Sequence, residues 1–518
     1  MKQFVVIGIL LLLGVFVYAE ENIEIDTDIV TTLYTEFEDE NGNGNGSLDD
    51  DFFKHSLKCN MLHMHNEEPE MVDNLWAMFL EGAYYGRLRL NSFGFKWKNE
   101  LQVDGVKLRE DHTIAALGGS LIYRSAYLNG FGIGAGFYGS SAIGSLDDSE
   151  AYLYKAGKGA FSRYDFQTDG NKNLYTFAQA YLEYKNKEIS LKVGRQIFES
   201  FLTKSNDTKM IPNTFEGLTL QNDDMLGTSY KMAYLLRQKL RDHSKFHHVL
   251  AAGNIGGDPY AIYSENDDSA MHFGLQKSEL NARGIDDRLI VIEANNNSIE
   301  NITLRMNYTA VPDLISSAMI QANYRLKIYD WSVIPALRYM QQFDDGAGEI
   351  GGANLKTQTQ GYSDPDCLDT SLYGARVDVV QDAFKLRFGY TKVADEGDII
   401  APWRGFPTAG FTRAMAQYNW YANTESYMVQ LDYEFEEISE FKVISRFAIQ
   451  DFDDDKAGVQ ADSNVFTIDF LKGLGQSSLY LKTRLAHVVG DDDTIAGNGL
   501  TKLDPSYDEI RFEINYLF

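Results

Sequence analysis

Basic side chains recur at every second position along several segments of this sequence. Arg87 and Arg89 flank Leu88, and Lys385 and Arg387 have the same spacing. A guanidinium group presents a planar fork of donors that fits a carboxylate, so rows of such groups would suit the passage of carboxylate anions along a wall. The predicted set of pore-lining residues is Arg87, Arg89, Arg305, Arg325, Lys327, Arg338, Arg376, Lys385, Arg387, Lys442, Arg446, Lys482, Arg484 and Arg511.

Acidic residues on the same faces offer another interpretation of these cations. Each arginine would then pair with a nearby carboxylate and only support the wall. This pairing explains any single arginine, whereas the set as a whole predicts a basic excess. The acids that fit this interpretation are Asp378, Asp432, Glu434, Glu509 and Glu513.

Extended strands are required to place these residues on one face, because side chains of a strand alternate with a period of two. The final segment, Tyr507–Phe518, alternates apolar with polar residues and ends on an aromatic residue. Such a segment predicts the closing strand of a barrel with lipid outside and water inside. Its apolar face is Ile510, Phe512, Ile514, Tyr516 and Phe518, and its polar face is Glu509, Arg511, Glu513 and Asn515.

The connections between strand-like segments alternate between very short and long, acidic ones. This alternation is typical of the periplasmic turns and extracellular loops of outer-membrane barrels. The sequence therefore predicts an all-β fold, a transmembrane antiparallel β-barrel of about eighteen strands. One connection, Val311–Asp313, is short where a long loop is expected, so either that loop is lost or a strand is misplaced.

The N-terminus predicts export. Residues 1–19 contain Lys2, a short apolar run and a cleavage site ending at Ala19, as in a signal peptide. A membrane anchor is the alternative, but the acidic residues from Glu20 onward disfavour it. We expect residues 20–70 to form an acidic periplasmic extension and residues 71–518 to form the barrel, with a short helix at Met71–Leu80 before the first strand.

The amino-acid composition limits the kinds of partner that the protein is expected to have. The formal net charge is −28, which argues against nucleic acid and suits a surface facing lipopolysaccharide, where divalent ions bridge anions. The chain has 31 Tyr, 31 Phe and 44 Gly but only 9 Pro, which favours one large strand-rich unit. Cys59 and Cys367 are a possible disulfide pair in an oxidising periplasm.

Two neighbouring segments, Val193–Gln196 and Asp207–Gly217, resemble the strand and constriction loop of the OprD-type outer-membrane porin family. The resemblance covers roughly residues 71–518. It implies an eighteen-stranded barrel, a third loop folded into the lumen, and a substrate-selective channel that often passes small carboxylates or basic amino acids. Further matching segments are Gly86–Leu90, Trp403–Thr408, Asn423–Thr424 and Arg511 with Tyr516–Phe518.

The resemblance also implies the residues at or beside the constriction. This chain has Lys209 where the family often has arginine, so a point charge replaces a planar fork at that position. Acids of the loop are expected to face basic wall residues and to set up a transverse field in the pore. The implied constriction residues are Arg195, Asp207, Lys209, Pro212, Asn213 and Glu216.

A segment of the acidic extension resembles a calcium-binding loop. Asp39, Asn41, Asn43 and Asp50 occupy ligand positions, although Gly46 stands where an apolar residue is expected. A flexible acidic linker is the alternative. No other cofactor is predicted.

The predicted function is passive, substrate-selective diffusion of small hydrophilic solutes, carboxylate-bearing or amino-acid-like, across the outer membrane of a Gram-negative bacterium. The alternatives are a surface adhesin or structural barrel, or an outer-membrane hydrolase. The few histidines lie in no catalytic constellation, so no enzyme is predicted. The expected partners are small solutes, outer-membrane lipid and lipopolysaccharide, and the barrel-assembly machinery, which the C-terminal aromatic residue would engage; the barrel would be a monomer or homotrimer.

Overall fold

A computed structural model describes residues 69–103, 106–143, 151, 153–155, 157–205, 210–252, 274–356, 358–415, 418–435, 438, 440–474 and 478–518. The predicted signal peptide, the calcium-loop residues Asp39, Asn41, Asn43 and Asp50, and Cys59 lie outside the described residues. The predictions made for them stay predictions.

The wall is a closed antiparallel barrel of eighteen strands, which confirms the predicted fold. Consecutive strands pair with each other, and the last strand pairs with the first in a register that sets Arg89 opposite Asn515. The strands are β1 Ala83–Trp97, β2 His112–Arg124, β3 Phe131–Ile143, β4 Asn173–Lys185, β5 Ile189–Gln196, β6 Thr214–Asn222, β7 Thr228–Lys239, β8 Leu289–Asn296, β9 Ile302–Val311, β10 Ile315–Tyr324 continued by Leu326–Ile328, β11 Trp331–Asp344, β12 Thr370–Gln381, β13 Phe384–Val393, β14 Glu425–Phe435, β15 Phe441–Asp451, β16 Ser463–Gly473, β17 Leu479–Gly490 and β18 Tyr507–Leu517.

Burial along the strands is the reverse of that in a soluble sheet. In β18 the charged Glu509, Arg511 and Glu513 are buried, whereas Ile510 and Phe512 between them are exposed. Apolar side chains that point outward require a lipid environment, and the polar side chains then face the interior of the barrel. The other strands carrying the predicted basic residues alternate in the same sense, except the short continuation Leu326–Ile328, in which all three residues are exposed.

Tight turns join the strands at one end of the barrel. Asn129, Tyr329 and Asp382 lie in three of them with φ of 51°, 55° and 42°, a left-handed conformation that lets the chain reverse within a few residues. At the other end, β9 and β10 are joined only by Pro312–Leu314. No strand is misplaced at this position, so the long loop expected there is absent.

The helices are short and lie before the first strand or in the connections between the wall strands. They are α1 Leu75–Leu80, α2 Arg163–Asp169, α3 Lys277–Arg283 and α4 Ala347–Gly351, with a 3-10 turn at Lys158–Ala160. None of the helices in the described ranges has the length and apolar character needed to cross a membrane. Small strand pairs join Leu101–Val103 to Val106–Arg109, Ala251–Ala252 to Leu275–Gln276, and Met71–Val72 to Tyr127–Leu128.

Long connections fold into the barrel and give it an apolar core. We name residues 197–213 the third loop and residues 394–424 the seventh loop. Phe198 and Leu202 of the third loop pack in one cluster with Trp403 and Phe406 of the seventh. A second cluster joins inward-facing strand residues to α2 and to the end of the third loop. The core therefore lies inside the wall, where it positions the loops across the lumen.

Candidate pore and its constriction

The third loop folds into the interior of the barrel and is anchored on β8, two strands beyond the strand into which it leads. The backbone N–H of Phe201 donates to Oε2 of Glu293 at 2.7 Å. Glu293 is a buried residue of β8 and also accepts from Nη2 of Arg305 at 3.0 Å. This anchor agrees with the third loop that the family resemblance places in the lumen. Glu293 was not predicted as a site residue, although its position two residues after the inward-facing Val291 indicates an inward carboxylate.

The seventh loop meets the third loop inside the barrel. Thr203 and Arg404 form an isolated β-bridge, and the N–H of Lys204 donates to the carbonyl of Trp403 at 3.2 Å. Gly405 passes so close to the Leu202 backbone that a Cβ at this position would overlap it. The two loops therefore meet inside the barrel, and glycine is required where they touch.

Two of the implied constriction residues form the base of the third loop. The carbonyl of Pro212 accepts from Nζ of Lys239 at 2.9 Å, and the N–H of Asn213 donates to the carbonyl of Ser205 at 2.6 Å. All four of these residues are buried. The structure thus places Pro212 and Asn213 where the chain returns to the wall, while Asp207 and Lys209 lie outside the described residues.

Arg195 and Glu216 do not face the lumen, which corrects the expectation for these two residues. Arg195 lies on the same face of β5 as the exposed Val193, and Glu216 lies on the same face of β6 as the exposed Leu218. Their side chains pair across the two strands at 3.6 Å, on the outside of the wall. The alternation of β5 instead turns the neighbouring Gln196 inward.

The predicted basic residues other than Arg325 and Lys327 lie on the inward faces of their strands. Arg87 and Arg89 are buried, and Nε of Arg89 donates to Oδ1 of Asn515 at 2.6 Å. Arg325 is half-buried and Lys327 exposed, both at the end of the barrel that carries the tight turns.

Several inward arginines pair with carboxylates, as the alternative interpretation predicted. Asp378 lies between Arg376 at 3.2 Å and Arg387 at 2.7 Å. Asp469 lies between Arg446 at 3.1 Å and Arg484, whose Nη2 donates to Oδ2 at 2.7 Å. Arg511 pairs in the same way with Glu509 at 3.0 Å. Asp469 was missed in the sequence, although it shares a face with the inward-facing Thr467.

Arg338 holds the seventh loop. Its Nη1 donates to the carbonyls of Pro407 and Ala409 at 2.8 and 2.9 Å, and its guanidinium lies 4.3 Å from the ring centre of Phe411. Arg376 likewise donates to the carbonyl of Gly410 at 3.1 Å. Two predicted wall residues therefore position the seventh loop in addition to facing the lumen. This second role could not be predicted from the sequence, because it depends on where the loop folds.

Comparison with known families agrees with this architecture. The family model for outer membrane porins of the OprD family matches residues 97–439, more than half of the chain. The chain belongs to the OprD family. No curated protein matches the sequence.

Solved structures of porins share the fold of this OprD-family chain. Pseudomonas aeruginosa OpdK is 13% identical, with a TM-score of 0.61 over 85% of this chain and 99% of that chain. A BenF-like porin from Pseudomonas fluorescens Pf-5 is 13% identical, with a TM-score of 0.63 over 85% and 99%. Acinetobacter baumannii OccAB4 is 13% identical, with a TM-score of 0.62 over 84% and 98%.

Family membership confirms the predicted location in the Gram-negative outer membrane. The tight turns accordingly face the periplasm and the long loops face the cell exterior. OprD-family porins are channels rather than enzymes.

A polar cluster ties the extracellular loops of the porin together at Asp398. This buried residue of the seventh loop accepts from the Tyr362 hydroxyl and from the Ala422 N–H, each at 2.8 Å. Burial raises the pKa of the Asp398 carboxyl to about 6, and burial also lowers the pKa of the nearby Lys356 amine to about 8. The seventh loop is therefore held by a carboxyl that titrates in mildly acidic conditions.

Proposed function

We propose that this porin admits small carboxylate-bearing or amino-acid-like solutes by passive diffusion along a basic arc of its inner wall. The observation that carries the proposal is a charge excess on β12–β18 and β1, where inward-facing cations outnumber inward-facing carboxylates among the described residues. The cations of this basic arc are Arg87, Arg89, Arg376, Lys385, Arg387, Lys442, Arg446, Lys482, Arg484 and Arg511, and the carboxylates are Asp378, Asp432, Glu434, Asp469, Glu509 and Glu513.

The geometry of the internal pairs suggests how a solute carboxylate would be handled. Nε and Nη2 of Arg387 donate to the two oxygens of Asp378 at 2.7 and 3.0 Å, which is the bidentate fork that guanidinium forms with any carboxylate. A solute carboxylate entering the arc would form and exchange the same contacts with successive arginines. Multiple weak sites of this kind allow binding without trapping.

A distant relative supports the solute class. A crystal structure of Pseudomonas aeruginosa OpdK, 14% identical to this chain, was determined with vanillate, which is a carboxylate. The observation belongs to OpdK, and its relevance to this porin rests on the basic arc.

Planar-bilayer recording of the refolded full-length mature porin tests the proposal. We expect conducting steps, a reversal potential that shows preference for anions in a KCl gradient, and block by benzoate but not by uncharged benzamide. Arg387→Gln should weaken both the anion preference and the benzoate block, about twofold or more, because it removes one fork from the arc.

The matched control is Lys472→Gln, which removes the same charge from the outward face of β16. This variant should leave the reversal potential unchanged. A folded barrel without conducting steps would contradict the channel, and a preference for cations would contradict the basic arc.

A further inference from the structure

The short helix α1 exposes an apolar surface that no described part of the porin covers. Leu75, Trp76 and Leu80 are 60%, 77% and 76% exposed, and Phe79 is 43% exposed, whereas Met78 is buried against the barrel. Large apolar side chains concentrated on six residues are costly in water, since each would be stabilised by transfer to an apolar medium.

Hydrogen bonds hold α1 against the outer side of the wall at the periplasmic end. The Tyr123 hydroxyl, on the outward face of β2, donates to the carbonyl of Phe79 at 2.9 Å. The N–H of Ala126, in the turn after β2, donates to the carbonyl of Met78 at 2.9 Å. Before the helix, Met71–Val72 pairs with Tyr127–Leu128. The helix is thus fixed at the rim beside the lipid-facing surface.

The exposed side chains of α1 continue a belt of outward aromatic residues at the same end. One member is Tyr84, 66% exposed, whose ring centre lies 4.6 Å from that of Tyr123. Aromatic belts of this kind lie at the boundary between acyl chains and headgroups. Other exposed members at the periplasmic end are Phe131, Tyr184, Tyr329, Trp331, Tyr516 and Phe518.

We propose that α1 is an interfacial anchor that inserts its apolar side chains into the periplasmic leaflet of the outer membrane. Its ligand is phospholipid at the level of the upper acyl chains. Glu70, Asp73 and Glu81 flank the helix and are exposed, so attraction to anionic headgroups does not contribute, and apolar burial drives the insertion. The anchor would fix the rim around the β1–β2 end independently of which solute the pore passes.

Depth-dependent fluorescence quenching tests this anchor. The full-length mature porin would be refolded into phosphatidylcholine vesicles whose acyl chains carry bromine either near the headgroup or near the bilayer centre. The emission of Trp76 is obtained as the difference between the wild-type protein and Trp76→Phe. We expect about a twofold loss of this emission with shallow bromine and a smaller loss with deep bromine.

Two other tryptophans calibrate the measurement. Trp331→Phe reports a residue on the outward face of the barrel and should show quenching, whereas Trp403→Phe reports a residue buried among the loops and should show none. Trp76 emission that ignores bromine at both depths, while Trp331 is quenched, would overturn the proposal, because another part of the chain or a second copy would then cover α1.

A double variant separates insertion from mere proximity to lipid. Leu75→Ser with Leu80→Ser should reduce the quenching of Trp76 severalfold while the barrel remains folded, as judged by its heat-dependent mobility shift in electrophoresis. Undiminished quenching in this variant would also overturn the proposal, since the apolar surface would then not drive insertion.

Discussion

At the residue level, the inner wall is organised around carboxylates that each bind two guanidinium groups. Asp378 and Asp469 both show this arrangement, each bridging arginines from two strands. Removing one partner of such a buried pair strongly destabilises the folded protein, because the remaining charge is left without compensation. If solutes pass along the proposed basic arc, the same carboxylates would also reduce the positive charge that a solute meets. The proposal therefore links stability and ion selectivity in the same side chains.

Asp469→Asn should raise the preference of the pore for anions. The substitution keeps the shape of the side chain but removes the negative charge between Arg446 and Arg484. We expect the anion-to-cation permeability ratio to rise about twofold or more. The ratio is read from the reversal potential in a KCl gradient.

Asp508→Asn is the matched control for this prediction. Asp508 lies on β18, two strands from Asp469, and is exposed on the outward side, where it binds His487 at 2.7 Å. The control changes the net charge equally without changing the lumen. Equal shifts in both variants would show that total charge, rather than the basic arc, sets selectivity.

The direction of a side chain was predicted correctly where the prediction followed the alternation of the strand. The prediction was wrong where it followed a family motif instead. Arg511 was placed correctly because its strand alternates clearly. Arg195 was assigned to the constriction by family resemblance, although the apolar Val193 two residues earlier indicates an outward face. A period-two test applied to the motif itself would have predicted the observed orientation.

At the level of elements, strands were predictable and loop positions were not. Strand identity depends on local alternation, which the sequence displays directly. The contact between Leu202 and Gly405 joins residues far apart in the chain, and no local pattern encodes it. The same holds for Arg338, whose grip on the seventh loop depends on where that loop folds. The candidate constriction was consequently predicted only in its location.

The seventh loop should become less firmly packed as the pH rises from about 4 to about 6. The pKa of Asp398 is about 6 in the packed loop, whereas the ordinary pKa of an aspartate, which applies to the unpacked loop, is 3.8. The packed state therefore binds the proton more tightly. Packing is then most stable below the lower value and loses up to about 3 kcal/mol as the carboxyl ionises.

Hydrogen exchange of residues 394–415 and 418–424, corrected for the intrinsic effect of pH, measures this change. Asp398→Asn should remove the dependence, because an amide does not titrate in this range. Thr408→Ser, which keeps a buried hydroxyl in the same loop, should retain the pH dependence. A pH dependence that survives in Asp398→Asn would assign the effect to other groups.

At the level of the whole molecule, closure of the barrel depends on the pairing of its first strand, β1, with its last strand, β18. The Gly86 N–H donates to the carbonyl of Phe518 at 2.8 Å, and the Phe518 N–H donates to the carbonyl of Gly86 at 3.2 Å. These bonds extend the β1–β18 ladder to the last residue, so the C-terminus is part of the wall. A closed wall leaves no unpaired edge in the membrane. The aromatic ring of Phe518 is partly exposed outside this closed wall.

Deletion of Phe518 should impair assembly in cells much more than refolding in vitro. We propose that the terminal aromatic residue is recognised by the assembly machinery, whereas the barrel loses only the last two bonds of a long ladder, about 1 kcal/mol each. The heat-dependent mobility shift measures the folded fraction, both in isolated outer membranes and after refolding into vesicles. Tyr516→Ala, which removes the preceding outward aromatic ring of β18, is the control and should assemble nearly normally in cells. Equal losses in cells and in vesicles would instead assign Phe518 to barrel stability, because recognition by other proteins plays no part in the vesicle experiment.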